Sequence, residues 1–511
     1  MSDVPNSSLN SAGAWSPSGL LAPCSSLPAS TRWGIYLIFI AISVGNMSGR
    51  LLSVNSVDKI QLETARIKER LANERKRLVA EGVAGAQLED RMAGTELRLR
   101  KDLALQRPFL SANDRSRWMT IRSLVERGKY EIDDILTEPK WDSIDKVQHL
   151  GTDGQPHFYS SKPPLLATIL AGEYWLINRF SGDTLQDRPY EIGRIMLFTI
   201  NILPLALMYV LLGQMVERFG TTDWGRIFVM AAATLGTLLN AFAIVLNNHI
   251  PAAVTATVAL YAAVRIICDG DRRLWLFALA GFSSALTAAD ELPALTLPAF
   301  LGVVLFLRAP RETLIAFVPA FLVVAAAFFI TNWIAHHSLA PPYAHKDWYS
   351  YPGSYWDARQ GIDAGEESRA IYALHVLIGH HGIFSLTPVW LLSAWGAVTW
   401  LLSADRAKRE LAGVVGAIAV VCLTFYIGYL PLHERNYGGM TSGFRWLFWC
   451  APLWLVMMIP AADRLARSIS GQALAAVLLS FSVLSASYPT WNPWIQPWLY
   501  NWLTWCGMPG Y

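Results

Sequence analysis

The sequence predicts an all-α polytopic membrane protein, with about eleven transmembrane helices and a large first extracytoplasmic loop containing interfacial helices. Three observations predict it. Of 511 residues, 53% are hydrophobic and only 16% are charged, too few charges to cover a soluble chain of this length. Apolar runs of roughly 20 residues, the length that crosses a bilayer core, recur from Arg194 onward. Basic residues fall on alternate connections between those runs.

Taken in order, residues 1–30 are rich in Ser, Pro and Ala and read as a disordered tail. The rest, 31–511, reads as one transmembrane domain. Its first apolar run, after Arg32, starts too late for a signal peptide and is expected to be an uncleaved helix over 33–50. Residues 55–107 are charged, rich in Ala and Leu and poor in aromatics. Pairs such as Glu63–Arg66 and Glu69–Arg70 suit a solvated helical insertion, and Gly82 to Gly85 would break it into a hairpin. This insertion is also the candidate surface for a protein partner.

Residues 108–193 form the expected first outer loop, the one long polar region dense in reactive side chains. In it, 117–127 places Trp118, Ile121 and Val125 on one helical face. The apolar stretch 165–180 is short, carries Glu173 and ends in Asn178–Arg179. Both are expected to lie at the membrane surface. Spanning helices are then predicted at 194–216, 226–247, 250–267, 273–289, 292–308, 312–335, 384–403, 410–430, 444–461 and 471–488. The connections holding Arg218 and Arg226, Arg265 to Arg273, Arg308 and Arg311, Arg406 to Arg409, and Arg464 and Arg467 share one side. That side is expected to be cytoplasmic, with the N-terminus, in an inner or plasma membrane. Five scattered cysteines, without a CxxC pair, give neither a disulfide framework nor a zinc site. Twenty-one tryptophans suit interfacial belts, and no nucleic-acid partner is expected.

The outer connections carry the candidate site. Asp114 and Lys162 stand in the first loop. Asn247-Asn248-His249-Ile250-Pro251 and Asp290-Glu291 make short polar turns, and His380-His381-Gly382 precedes a predicted span. Tyr437 and Arg445 lie in HERNYGGMTSGFR, the last outer connection. Each has a plainer reading: Asp114 as a helix cap, Lys162 as an interfacial anchor, Arg445 and the histidines as boundary residues. Tyr343, Trp348, Tyr349, Tyr351, Tyr355 and Trp356 in 336–383 suit either a lid with stacking rings or an interfacial belt. No HxH or HExxH spacing appears, so no tightly bound metal is expected.

The ordered set Asp114-Arg-Ser-Arg-Trp-Met-Thr-Ile-Arg-Ser-Leu-Val-Glu-Arg-Gly-Lys-Tyr130, then Ser161-Lys162-Pro163-Pro164-Leu165, then Arg194 in EIGRIML, resembles the GT-C superfamily of membrane glycosyltransferases, of the protein O-mannosyltransferase and aminoarabinose-transferase type. The match covers residues 109–215 by motif. Two features depart from the pattern: Arg115 follows Asp114 where an Asp-Glu pair is usual, and the 55–107 insertion is foreign to it. The resemblance implies inverting transfer of a sugar from a polyprenyl-phosphate to an acceptor on the outer side, among membrane lipids. Asp114 would be the base, with Asp133 and Asp134 as alternatives. Lys162 and Arg445 would hold the leaving phosphate, and Asn248, His249, Asp290, His381 and Tyr437 would contact substrate. No cofactor is implied beyond the lipid-linked sugar, although some members of the superfamily use a divalent metal. The rivals are a lipid or glycolipid transporter or flippase, disfavoured by the lack of two repeated halves, and a non-catalytic membrane scaffold.

Overall fold

The computed structural model describes residues 26–53, 59–102, 109–138 and 141–507. Most of the expected disordered tail lies outside them, as does the side-chain pair Glu63–Arg66. Among the described residues, seven helices are long and apolar enough to cross a membrane: Ala29–Ser53, Pro189–Phe219, His249–Asp269, Pro310–His336, Arg406–Tyr429, Arg445–Leu465 and Ile469–Ser487. Asp223–Leu235 and Leu238–Ile244, bent by 40°, make an eighth span if taken together. Leu274–Asp290, Leu292–Arg308 and Trp390–Leu401 are apolar but shorter. The protein is thus an all-helical, multi-pass membrane protein. By length it has seven or eight full spans, and eleven only if the three short helices also cross. The shortness has local causes. The Asp290-Glu291 pair and Pro293 end one helix and delay the next, and Pro388 stands just before Trp390.

At the centre lies His249–Asp269, packed against Leu274–Asp290, Pro189–Phe219 and Arg445–Leu465. Its Ala252, Ala253, Ala256, Ala259, Ala262 and Ala263 are fully buried, and small side chains let helix backbones approach closely. Two crossings go further and use glycine. A Cβ at Gly281 would run into the Phe317 carbonyl, and one at Gly396 into that of Met457.

The basic connections do gather at one end of the bundle. There Arg218 pairs with Asp269 (2.5 Å), Arg308 with Glu410 (2.5 Å), and Arg32 with both Glu217 (2.6 Å) and Asp223 (2.9 Å). Asp463 accepts from the Thr221 and Thr222 backbone N–H groups at that end. The insertion folds as the antiparallel pair Lys59–Ala80 and Ala86–Asp102, broken where expected and tied by Arg75–Glu89 (2.7 Å).

Across the other end lies the polar loop. Its first helix, Ala112–Glu126, buries Trp118 and Ile121 as the spacing predicted and packs against the helix Pro164–Ser181. Between them stands a β-hairpin, Lys146–Leu150 with Pro156–Ser160, which the helical reading missed. Its signal was present: two alternating segments around Asp153-Gly154. The loop has its own ionic core. Arg122, fully buried, is held by Glu126 (2.8 Å) and Glu138 (2.7 Å).

The glycine crossings give a stability test. Gly396→Val should lower the unfolding temperature of the detergent-solubilised protein, by about 1–3 kcal/mol of overpacking. Val at Gly413, where a Cβ meets no atom, should not.

Candidate active site

Helix ends and loops far apart in sequence meet around a cavity of about 860 Å³. One wall is polar: Asn113, Arg117, Lys162, Asn248, His249, Asp290, Glu291 and Arg445. The opposite wall is apolar, with Leu295, Phe300, Val421 and Phe425, and Leu295 and Phe425 remain exposed on the bundle surface. Tyr343 and Lys346, from the segment after Pro310–His336, close over it. A second cavity, about 360 Å³, shares Lys162, Tyr343 and Lys346 and adds Asp145, Tyr349 and Trp356.

The hairpin explains how Lys162 reaches this place. Register pairs Lys146 with Ser160, so Asp145 and Ser161 follow at its open end. Ser161 N–H donates to the Asp145 carbonyl, and Lys162 Nζ lies 2.8 Å from Asp145 Oδ1. Pro163 is extended and Pro164 opens the next helix, which keeps Lys162 at its start. The two side chains are only 18% and 13% exposed, so Lys162 is an enclosed ion-pair partner and not an interfacial anchor.

Among the described residues, no carboxylate lies within ion-pair distance of Arg117 or Arg445. Arg117, buried, donates to the side-chain oxygens of Asn113 (2.5 Å) and Asn248 (2.6 Å). Arg445 donates to the Gly438 carbonyl (2.8 Å) and to His249 Nε2 (3.1 Å). An arginine cannot accept, so His249 Nε2 is the acceptor and its proton sits on Nδ1, which faces Glu291 Oε1 at 2.5 Å. A buried Glu291–His249–Arg445 chain thus aims one guanidinium at the cavity.

The titration of the loop residues carries the same message. Burial and the neighbouring Arg445 lower Arg117 to about 10. Burial works against the Asp145 charge, yet Lys162, Arg445 and Arg117 outweigh it and hold the carboxyl below its ordinary range. Lys162 is lowered by burial, and by Arg117 and Arg445 against the pull of Asp145. The Asp145 shift, downward against its own burial, records the surrounding cations.

The remaining predicted residues fall elsewhere. Asp114 does not line the cavity. Its carboxylate accepts from Trp118 Nε1 (2.8 Å) and the Leu246 N–H (3.1 Å), and burial pushes it up to about 7. It borders a separate void of about 30 Å³ with Phe109, Tyr190 and Arg194. Nor is it the helix cap: the helix begins at Ala112, and Ser111 accepts the Asp114 N–H (3.0 Å). The cavity-facing residue beside it is Asn113. Asp133 accepts from the Phe158 N–H and binds His157 (both 3.0 Å), and Asp134 pairs with Lys129 (3.3 Å). Both serve the hairpin region. His381 and Tyr437 stack on each other (4.7 Å) in a second cluster outside the cavity lining.

Sequence reasoning thus passed over Arg117, Asp145 and Asn113, and named Glu291 only as part of the Asp290-Glu291 turn. Arg117 was findable, one helical turn beyond Asp114. Asp145 was not, because only the hairpin register brings it to Lys162.

Removing one partner of an enclosed pair strands the other charge. Asp145→Asn should therefore destabilise the protein by about 2–3 kcal/mol, below the ~3–5 kcal/mol of a fully sealed pair because both groups retain some solvent. A folded-state carboxyl with a lowered pKa stabilises fully above the ordinary aspartate value near 3.9, and that stability goes as pH falls through the lowered value. In an acid scan the wild-type unfolding midpoint should fall below about pH 4 more steeply than that of Asp145→Asn.

No protein-family model matches this chain, and no curated protein is similar to it.

Proposed function

We propose that the protein is a membrane glycosyltransferase that moves a sugar from a polyprenyl-phosphate donor to an acceptor, at the end of the bundle opposite its basic connections. One observation carries the reading: two guanidiniums, Arg117 and Arg445, without carboxylate partners among the described residues, face a cavity whose other wall is apolar and includes Leu295 and Phe425, exposed on the bundle surface. An amphipathic anion with a long hydrocarbon tail matches both walls. Arg117, Arg445 and Lys162 hold the phosphate and take up the charge that develops as the glycosidic bond breaks. Phosphate leaves as a stable anion, so no acid is needed on that side.

The base follows from the same geometry. Asn113 is an amide and takes no proton, and the Asp114 oxygen facing Trp118 and Leu246 is committed to them. Asp290 is the predicted carboxylate that lines the cavity, on the same polar wall as the cations. In this reading Asp290 accepts the acceptor hydroxyl proton, while Asp114 positions the helix bearing Arg117. The adjoining cavity, with Tyr349 and Trp356, suits a sugar or acceptor ring. The basic end is then cytoplasmic, the three short helices also cross, and the site is extracytoplasmic.

The test is transfer from radiolabelled polyprenyl-phosphate sugars by purified protein, with membranes as acceptor. Asp290→Asn should lower kcat by about 10²–10⁴ with donor binding kept. Arg445→Gln should weaken donor binding at least about tenfold, the loss of one charge-assisted contact. Asp114→Asn keeps an oxygen for both hydrogen bonds and should retain most activity. Loss there, with Asp290→Asn fully active, would return the base to Asp114. Movement of intact glycolipid across vesicles without bond cleavage would make the protein a flippase.

A further inference from the structure

A second cluster lies outside the cavity lining, in the segment after the lid aromatics. The short helix Arg369–Leu377 is capped by Ser368. Glu367 stands just before that cap, His375 in the last turn, and His380 just beyond. The chain turns back sharply there: Gly379 N–H donates to the Leu374 carbonyl (2.8 Å), and a Cβ at Gly379 would collide with the His375 ring. That turn lays the His380 ring on the His375 ring, centroids 3.8 Å apart. His375 Nε2 lies 3.9 Å from Glu367 Oε1, and ligating atoms of all three residues fall within 4.8 Å of one another.

We propose that Glu367, His375 and His380 form a binding site for a first-row divalent metal of the zinc type. Two imidazoles and one carboxylate are a donor set that zinc takes, with a fourth position left for water. Bonds of about 2.0–2.2 Å put tetrahedral ligand atoms roughly 3.4 Å apart, so closing the site takes side-chain shifts of about 1 Å, with one ring leaving the stack.

The surrounding contacts are those of ligand-orienting neighbours. Tyr437 OH donates to Glu367 Oε2, which leaves Oε1 toward His375. His380 Nδ1 contacts His381 Nδ1 at 2.6 Å, which orients His380 Nε2 away from that neighbour. The spacing, Glu-x₇-His-x₄-His, matches no common metal motif, which is why the site is not legible from the sequence. The site would also stiffen a loop that matters. Tyr437 adjoins Gly438, whose carbonyl holds Arg445, so a metal at Glu367 would fix the backbone that aims that guanidinium.

The test is metal binding by the full-length protein, purified through a tag without histidine, stripped with chelator and titrated with Co²⁺. One equivalent per chain should bind, with visible d–d absorption, and Zn²⁺ should displace it. His375→Ala and Glu367→Gln should abolish the signal, and Tyr437→Phe should weaken affinity about 10–100-fold, as an orienting neighbour does. Size-exclusion profiles identify any variant that fails to fold, and the wild-type titration decides without them. Wild-type protein that binds no Co²⁺ or Zn²⁺, or folded ligand variants that bind as wild type does, would overturn the assignment. Neither result bears on glycosyl transfer, which is read separately.

Discussion

Two buried or half-buried cations with no ion-paired carboxylate among the described residues are the feature on which the rest of this structure depends. Arg117 and Arg445 are placed beside an apolar wall, where an isolated charge is costly. The fold tolerates them by hydrogen bonding them without neutralising them. Asn113 and Asn248 accept from one guanidinium, and Gly438 and His249 from the other. The nearby acids Asp145 and Glu291 are already engaged by Lys162 and His249. The positive field therefore remains and, with Lys162, holds the Asp145 carboxyl below its ordinary range against the effect of burial. An incoming anion meets a site already arranged for it, which is the electrostatic condition for stabilising a leaving phosphate.

Holding that arrangement requires the first loop to be as rigid as the bundle. Fully buried Arg122, bound by Glu126 and Glu138, gives the loop an ionic core of its own. Asp114 joins it to the bundle by accepting from the Leu246 N–H, so the helix bearing Arg117 and the turn bearing Asn248 are fixed to one carboxylate. The hairpin then delivers Lys162 with its partner attached. Each cation reaches the cavity from a different element, and each element is tied to the next by a hydrogen bond or ion pair.

The same polar groups shape the helices. Asn248 and His249 start the central helix at the cavity, and Asp290-Glu291 ends its neighbour there. Ending helices at the site costs span length, which accounts for the short apolar helices Leu274–Asp290 and Leu292–Arg308. Polar backbone at such depth is tolerable only where it lines a cavity or is buried in protein.

Much of this was legible in sequence. Apolar runs fix which segments are helical and membrane-embedded, because burial in lipid depends on composition over about 20 residues and not on partners. Parity of basic connections predicted that Lys162, Asn248, His249, Asp290 and Arg445 share one end, and all five line one cavity. Helical spacing of Trp118, Ile121 and Val125 gave the helix Ala112–Glu126, although not its burial from Asn113 to Ser123. What only the tertiary structure decided is which groups within that end touch. Side chains one residue apart, such as Asn113 and Asp114, point to different surroundings, and the Asp145–Lys162 pair exists only through strand register. His381 and Tyr437 share the end but join Glu367 and the other histidines instead of the cavity. Periodicity and hydropathy are properties of a segment and survive without a fold. Contact between chemical groups is a property of packing, set by angles and registers that no local pattern encodes.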